Sequence, residues 1–486
     1  MKFILPLIIF SLCTFSGMVY GFNVLVIPTT EALFGANEVY SMHTSQVTLA
    51  VSASLCFGTT LMFVLPTSTH ILHLGPRKCV WLTTSLVSLG VACMGVSVSK
   101  PSIAGFWLSS IVFGLGCGGN FELLYVMCIR WYKVEWGRAG IGAGIYGFCL
   151  GLWPALLSLY YIQPLISHGL AYSYYANAII IFVGSLPACF LFFDCEELKF
   201  EEKVASEPPK ELTKTEFQHK TQICLKVLTN VLAMTTGGAG KVIDDDDPDV
   251  PEVAEPPKKL ATSEILHNPQ IYLQFLTNVL AMAPPFAIKW NLSVLVSALY
   301  GASVSQQNIF SFIYLFAYAL SRLATGLLLG KHLSVETAQK LAIALQIPCF
   351  IASGLLVKMG GTTTKYFWGF VVLEAVIGLA LAAFKSTIYI SALVRWNSEN
   401  FSFVGGLFLV SVAVALFLGS LLGWSSLAVQ GDVPLDPTKF LIFVGNNPAD
   451  EYVNEMKHIA GGFQFMFAGF AAIALFLHTK MVRKVA

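Results

Sequence analysis

The sequence contains little charge, no CxxC cysteine pair and no histidine spacing typical of a metal site. Only 12% of its 486 residues are Asp, Glu, Lys or Arg, and the formal net charge is +1. Such a chain lacks the basic surface with which proteins bind nucleic acids, so we expect no nucleic-acid partner. The eleven cysteines lie mostly within apolar runs and are interpreted as small buried residues. We therefore predict neither a metal nor a cofactor.

Apolar residues make up 56% of the chain, and the mean hydropathy is +0.70. A soluble protein of this length could not bury that much apolar surface in one core, so the composition predicts an integral membrane protein in a lipid bilayer. The apolar runs are continuous over about 20 residues or more, whereas barrel strands would alternate, so the spans are helical. We predict an all-α membrane protein with twelve transmembrane helices in two six-helix, pseudo-symmetric halves.

The predicted spans are numbered 1 to 12 in chain order. They cover residues 1–27, 47–69, 79–99, 103–129, 139–165, 172–193, 270–299, 306–330, 336–357, 366–394, 402–428 and 459–480. The first apolar run is longer than a signal peptide core, and its removal would leave an odd number of spans, so we retain it as span 1. With both termini cytoplasmic, and with the long central loop left out of the count, twelve Lys and Arg residues lie at the cytoplasmic side and five at the outer side, as the positive-inside rule requires. We expect the plasma membrane, with an organelle membrane as the alternative.

The N-terminal half, residues 1–194, and the C-terminal half, residues 269–486, flank an acidic, proline-rich linker over 195–268. Within the linker, residues 207–234 match 255–282 at 17 of 28 positions, which indicates a tandem duplication. Residues 129–144 and 394–409 share Arg-Trp at a helix end, as a parallel duplication of six helices would produce.

The predicted functional face lies on span 8. Tyr314, Tyr318 and Arg322 recur every four residues, so two phenols and one cation share a helical face. A guanidinium within a membrane span is costly, and intramembrane ionisable residues usually serve function. We predict that this face lines a transport pathway and that Arg322 binds an anionic solute. The alternative is that Arg322 pairs with a carboxylate elsewhere in the bundle and fixes helix packing.

Four other charges lie within spans: Glu122, Lys289, Glu374 and Lys385. Two carboxylates against three cations leave one positive charge in excess, which suits a monoanion. We predict that Lys289 and Lys385 are auxiliary ligands of the anion. Tyr389 lies one turn after Lys385 and is predicted to be a further hydrogen-bond donor. Glu122 and Glu374 are predicted proton carriers. The structural alternatives are that Glu122 bonds a neighbouring helix and that Lys289 bonds carbonyls freed by two prolines in its own span.

Four arginines lie at predicted cytoplasmic helix ends, where we expect topology anchors and gate latches: Arg77, Arg130, Arg138 and Arg395. Span 5 carries glycines at 137, 140, 142, 144, 147 and 151. Small faces of this kind allow close helix approach, and they also suit two halves that rock against each other.

Four short motifs lie at helix ends and within span 8: Leu74-Gly75-Pro76-Arg77-Lys78, Arg130-Trp131-Tyr132, Gly137-Arg138-Ala139, and Arg322 with Gly326. In these residues the chain resembles the major facilitator superfamily, and within it the branch of monocarboxylate transporters and oxalate/formate antiporters. In that family an arginine of span 8 is associated with the substrate carboxylate, which implies this role for Arg322. The loop motif DRxGxR is incomplete here, because Leu72 and His73 replace Asp-Arg. Monocarboxylate transporters usually have an aspartate at the position of Tyr318. This departure bears on the chemistry of proton coupling more than on the fold.

The expected function is secondary active or facilitative transport of a small organic anion, most simply a monocarboxylate moved with a proton as a symporter, by alternating access. The first rival is an amino-acid transporter in which Glu122 or Glu374 holds the ammonium group. The second is a non-transporting receptor or scaffold that binds partners through the duplicated linker. An enzyme is not expected, because no nucleophile, base and orienting group fall at usable spacing.

Deletion of residues 207–254 distinguishes the transporter hypothesis from the scaffold hypothesis. It removes one copy of the duplication and leaves every predicted span intact. We expect near-normal transport by the deleted protein in proteoliposomes, because a solvated linker contributes little to the bundle. Loss of function with an intact helical bundle would favour the scaffold.

Overall fold

The structure is a computed structural model of the whole chain. It describes residues 22–35, 42–64, 76–136, 139–156, 158, 167–191, 262–329, 332–359, 364–428 and 450–483. Nearly all of these residues are helical. Eight described helices are long and apolar enough to cross a membrane, and four shorter apolar helices correspond to spans 1, 2, 5 and 6. The fold is an all-α, multi-pass membrane fold, as the sequence predicts.

In the N-terminal half the described helices of spans 1 to 6 are Asn23–Phe34, Met42–Val64, Pro76–Ser99, Ile103–Trp136, Ala139–Leu156 and Leu170–Leu191. In the C-terminal half spans 7 to 9 are Pro269–Trp290 with Leu292–Tyr300, Val304–Leu328 and Val335–Met359. The helix Thr364–Ala428 carries spans 10 and 11, and Asp450–Arg483 carries span 12.

Several helix boundaries differ from the sequence prediction, and three of the differences change how the spans are built. Span 1 continues past Pro28 and ends at Phe34, where Gly35 adopts a positive φ of 102°. Span 7 is two helices that meet at Asn291, whose side chain donates to the Ala287 carbonyl at 2.8 Å in place of a regular helical bond. Spans 10 and 11, with membrane segments Tyr366–Ala392 and Phe403–Gly423, are joined by helical residues where we predicted a loop.

The start of span 8 shows how local sequence sets a helix end. Ser303 accepts a hydrogen bond from the Gln306 amide, and the Gln306 side chain accepts one from the Ser303 amide. This reciprocal capping box satisfies two backbone donors that the first turn would otherwise leave without partners. The helix therefore begins at Val304, two residues before the predicted start.

Most of the predicted linker lies outside the described residues, including the first copy of the duplication at 207–234. The second copy is described from residue 262 onward. There, Thr262–His267 forms a short helix within the stretch expected to be flexible, and Asn268 caps the start of span 7 through the Gln270 amide. The capping asparagine explains why span 7 begins at Pro269.

The two halves meet along spans 5 and 8 through small residues. A Cβ on Gly144 would lie 3.0 Å from the Gly326 Cα, and one on Gly151 would lie 2.9 Å from the Ala319 Cβ. The predicted close approach of the span 5 glycines is therefore confirmed, and its partner is span 8. Span 2 also packs against the helix Thr364–Ala428, which carries spans 10 and 11. The halves are joined further by Asn23 of span 1, whose amide donates to the Ser311 hydroxyl of span 8 at 2.8 Å.

We expect Gly326→Val to lower the thermal unfolding temperature in detergent. A Cβ at this position would lie 2.6 Å from the Gly144 Cα of span 5, and such overpacking typically costs about 1–3 kcal/mol. Gly469→Val in span 12 is the matched control, since a Cβ there meets no atom within 4 Å. Equal unfolding temperatures for the two variants would contradict the tight contact between spans 5 and 8.

Candidate functional site

Arg322 is the largest fully buried side chain among the described residues, with 0% exposure. Its Nε donates a hydrogen bond to the Ser386 hydroxyl of span 10 at 3.3 Å. The centre of its guanidinium lies 5.8 Å from the ring of Tyr318, one turn earlier on the same helix. The face predicted from the spacing of Tyr314, Tyr318 and Arg322 therefore points into the bundle, because all three side chains have no exposed surface.

Two lysines from neighbouring spans lie beside this face. Lys289 of span 7 and Lys385 of span 10 are 2% and 3% exposed. The Lys289 Nζ is 5.6 Å from the centre of the Tyr318 ring and 5.8 Å from that of Phe286. The Lys385 Nζ is 5.7 Å from the same Phe286 ring. We call Arg322, Lys289 and Lys385, with the two rings between them, the cation cluster.

The three basic groups of the cluster are close enough that their charges act on one another when they are ionised. Each ionised side chain deep in a bilayer costs about 3 kcal/mol on insertion scales, and mutual repulsion adds to that. The rings of Tyr318 and Phe286 lie 5.6–5.8 Å from these groups, and the negative potential of their faces offsets part of the repulsion. A small anion beside the cluster would offset more, because opposite charges attract strongly where water is scarce. The chemistry of the cluster therefore suits anion binding.

The N-terminal half forms one wall of the cluster. Gly147 of span 5 lies against Arg322, and a Cβ there would lie 2.5 Å from the guanidinium carbon. Span 1 approaches from another side, with the ring of Phe22 6.2 Å from that of Trp290, the residue after Lys289. All three cations thus belong to the C-terminal half, and the N-terminal half supplies apolar and small residues.

Glu374 lies apart from the cluster. Its Oε1 accepts hydrogen bonds from the Ser353 hydroxyl of span 9 at 2.7 Å and from the Gln464 amide of span 12 at 3.2 Å. Along span 10 it is about 16 Å from Lys385, as the separation of 11 residues requires. Tyr314 lies between the two regions, because its ring packs on Gly378 of span 10 and its hydroxyl donates to the Pro285 carbonyl at 3.5 Å.

Several predicted residues fall outside what the structure describes. Glu122 and Arg130 lie within the span 4 helix, Arg77 within span 3 and Tyr389 within span 10, and their side chains are outside the described part. Arg138 lies outside the described residues altogether. The roles predicted for these five residues stay predictions.

Arg395 lies at the end of span 10 that is predicted to be cytoplasmic. Its Nε is 3.5 Å from the Glu336 Oε1 of span 9, and its Nη1 donates to the Gln274 Oε1 of span 7 at 2.8 Å. Gln274 in turn donates to Asn278, which donates to Ser411 of span 11. Arg395 thus joins the ends of three spans, which is compatible with the predicted anchor or latch.

Three residues of the site did not follow from the sequence alone: Phe286, Ser386 and Gly147. Phe286 precedes Lys289 by three residues, so their side chains share a face, and that spacing was the available signal. The contacts of Ser386 and Gly147 with Arg322 depend on how spans 5, 8 and 10 pack, which no single span encodes. Within the described residues no group of three His, Cys, Asp or Glu side chains lies where it could hold a metal ion.

The sequence model of the Major Facilitator Superfamily matches residues 8–420, most of the chain and eleven of the twelve spans. The chain belongs to the major facilitator superfamily. Members of this superfamily are multi-pass membrane transporters of small molecules, and this protein is therefore a membrane transporter of that family. The match does not distinguish the monocarboxylate branch from the others. No curated protein sequence matches the chain.

Solved structures with a similar fold include the human organic anion transporter MFSD10 (TETRAN), with a TM-score of 0.60 and 15% identity over 98% of this chain and 99% of that one. A mutant form of the nucleoside transporter NupG has a TM-score of 0.59 and 14% identity over 98% and 99%. A bacterial homologue of the human lysosomal transporter Spinster, inward-facing and occupied, has a TM-score of 0.56 and 13% identity over 99% and 96%. At these identities the likeness establishes the fold alone.

Gly147→Ala tests the packing of Arg322. The added methyl group would overlap the guanidinium, so we expect Arg322 to shift and the rate of substrate exchange to fall by about tenfold or more, as misplacement of a binding group by about 1 Å does. Gly469→Ala, which meets open space, is the control and should exchange at the wild-type rate. Wild-type exchange by Gly147→Ala would mean that the position of Arg322 does not matter for transport.

Proposed function

We propose that this superfamily member transports a small organic anion, most simply a monocarboxylate, by alternating access. The observation that carries the proposal is the convergence of Arg322, Lys289 and Lys385 on two aromatic rings in a buried site between spans 7, 8 and 10. A carboxylate that leaves water requires fixed donors and positive charge. A guanidinium with ammonium groups beside it supplies both.

Arg322 is the principal ligand in this proposal. Its planar group can donate two parallel hydrogen bonds to one carboxylate, which a lysine cannot do. Lys289 and Lys385, whose Nζ atoms lie 5.8 and 5.7 Å from the centre of the Phe286 ring, add further attraction for the anion. Tyr318 supplies a hydroxyl donor, and Tyr389 remains a predicted donor on span 10. Tyr314 lines the site, because its own hydroxyl donates to the Pro285 carbonyl.

The amino-acid alternative requires a carboxylate close to Arg322 that can hold an ammonium group. Glu374 is 12 residues from Ser386, the span 10 contact of Arg322, which corresponds to about 18 Å along the helix. The charges of an α-amino acid are carried on adjacent carbon atoms and cannot bridge such a distance. Glu374 is therefore unsuited to this task, and Glu122 is the carboxylate left for the alternative.

A proton moved together with a monoanion would make the transport cycle electroneutral. Glu374 is the described carboxyl group that suits a proton carrier, because it is fully buried and yet held by hydrogen bonds from spans 9 and 12. Tyr314 lies between Glu374 and the cation cluster, so the charge of the carboxyl group can act on the face that binds the anion. Glu122 is retained as the second proposed carrier.

Counterflow of radiolabelled lactate, pyruvate, oxalate and leucine in proteoliposomes at two pH values tests the proposal. We expect exchange of an organic acid by the wild type and loss of at least about 30-fold in Arg322→Ala, in keeping with the 2–5 kcal/mol that removal of one partner of a buried charge pair costs. Arg322→Lys should also be defective, because it keeps the charge but not the planar pair of donors. A rate that rises at acid pH would indicate proton coupling.

Lys358→Ala is the matched control, since it removes a cation that contacts the ring of Phe465 far from the cluster. It should exchange at the wild-type rate. Exchange of leucine but of no organic acid, or organic-acid exchange that is indifferent to Arg322, would contradict the proposal.

A further inference from the structure

Span 9 carries a row of buried polar side chains that the cation cluster does not use. Gln339, Gln346 and Ser353 recur every seven residues, so they lie on one face of the helix, and each is 0% exposed. Successive members are about 10 Å apart along the axis. The row begins one turn after Glu336, whose carboxylate is 33% exposed, and ends at Ser353, which donates to Glu374.

The row faces span 12 in a regular antiparallel register. The rings of Phe350 and Phe467 are 5.6 Å apart, and a Cβ on Gly354 would lie 3.1 Å from the Gln464 Cβ. One turn beyond Gln339, the His478 ring lies 3.2 Å from the Glu336 carbonyl. The same register places Ala471 opposite Gln346. On the side of Gln346 toward Gln339 the buried neighbours are small, since Ala342 of span 9 and Ala474 of span 12 lie there, whereas the ring pair of Phe350 and Phe467 lies one turn away on the side toward Ser353.

Many polar atoms along this row have no protein partner among the described residues. They are both side-chain polar atoms of Gln339 and of Gln346, Gln464 Oε1, Glu374 Oε2 and His478 Nδ1. Buried polar atoms are normally hydrogen-bonded, by ordered water where protein groups do not reach them. A bare cation would satisfy only the oxygens, whereas this row offers amide donors and oxygen acceptors in alternation, which water satisfies equally.

We infer that Gln339, Gln346 and Ser353, with Gln464 opposite, hold a file of water molecules that connects Glu374 to the exposed end of span 9 near Glu336. The file runs between spans 9, 10 and 12, outside the cation cluster. Through the file, the Glu374 carboxylic acid can pass its proton to a neighbouring water molecule and become a carboxylate. The proton then moves along the file to bulk water. The inference extends the proposed proton-carrier role of Glu374, but its test observes the carboxyl group itself.

Other titratable groups lie at both ends of the file. Tyr314, Tyr300 and Cys349 are close enough to Glu374 to feel its charge, from spans 8, 7 and 9. At the other end, Glu336, Arg395 and Lys340 surround His478. A pH response of the whole protein could arise from any of these groups. The test therefore uses a signal that is specific to Glu374.

The experiment is infrared spectroscopy of the full-length protein in proteoliposomes. The carboxyl C=O band of Glu374 is identified at acid pH by its loss in Glu374→Gln, and its shift is followed after rapid exchange from H₂O to D₂O. In the wild type we expect a prompt shift. In Gln346→Leu, which removes the central hydrogen-bonding group, we expect the shift to be slower by about tenfold or more. Gln346→Asn keeps the amide and should restore most of the rate.

Ala471→Leu places a larger apolar side chain opposite Gln346 without changing any polar group and should also slow the shift. Leu345→Ala, on the exposed face of span 9, is the control and should leave it unchanged. A Glu374 band that is absent at every pH, a wild-type band that does not shift, or wild-type rates in folded Gln346→Leu and Ala471→Leu would each overturn the inference. Failure of anion counterflow with an intact, Gln346-dependent shift would reject the proposed substrate and leave the water file standing.

Discussion

The concentration of positive charge inside an apolar bundle is the constraint on which the rest of the site depends. Three cations from spans 7, 8 and 10 have almost no exposed surface, and the rings of Tyr318 and Phe286 lie between them. Such a group of like charges is stable only where the protein or a ligand supplies compensating negative potential. The two rings provide a permanent part of it. A bound anion would provide a variable part, so occupancy of the site and the electrostatic balance of the bundle are linked.

This linkage gives a physical reason for coupling between binding and movement. Arg322 contacts Ser386 within its own half and Gly147 in the other half. An anion that draws the guanidinium toward itself therefore changes a contact between the halves as well as one within the C-terminal half. The small residues of spans 5 and 8 allow the two helices to separate without disengaging large side chains. The face of span 8 proposed to bind the anion thus adjoins its contact with span 5, and Arg322 belongs to both.

The sequence was sufficient for the spans and for the inward face of span 8, because both depend on periodicity within a single helix. Tyr314, Tyr318 and Arg322 lie as their four-residue spacing predicts. The break at Asn291 and the helical connection between spans 10 and 11 were not predicted, since they depend on local capping and on neighbouring helices. The contact of Lys289 and Lys385 with one ring could not be predicted either, because their spans are far apart in sequence. The row of Gln339, Gln346 and Ser353 was visible as a seven-residue repeat, but its meaning required the partner face of span 12.

The central claim, an anion site built by the cation cluster, is tested most directly by the rise in unfolding temperature that ligands cause. We predict that lactate, pyruvate or oxalate stabilises the purified wild-type protein in a concentration-dependent manner, whereas the neutral nucleoside uridine does not. The Lys289→Gln, Lys385→Gln double variant should unfold at a similar or higher temperature without ligand, because repulsion is relieved, and should lose the response to anions. Stabilisation of wild type and double variant by the same amount, or stabilisation by uridine alone, would contradict the account.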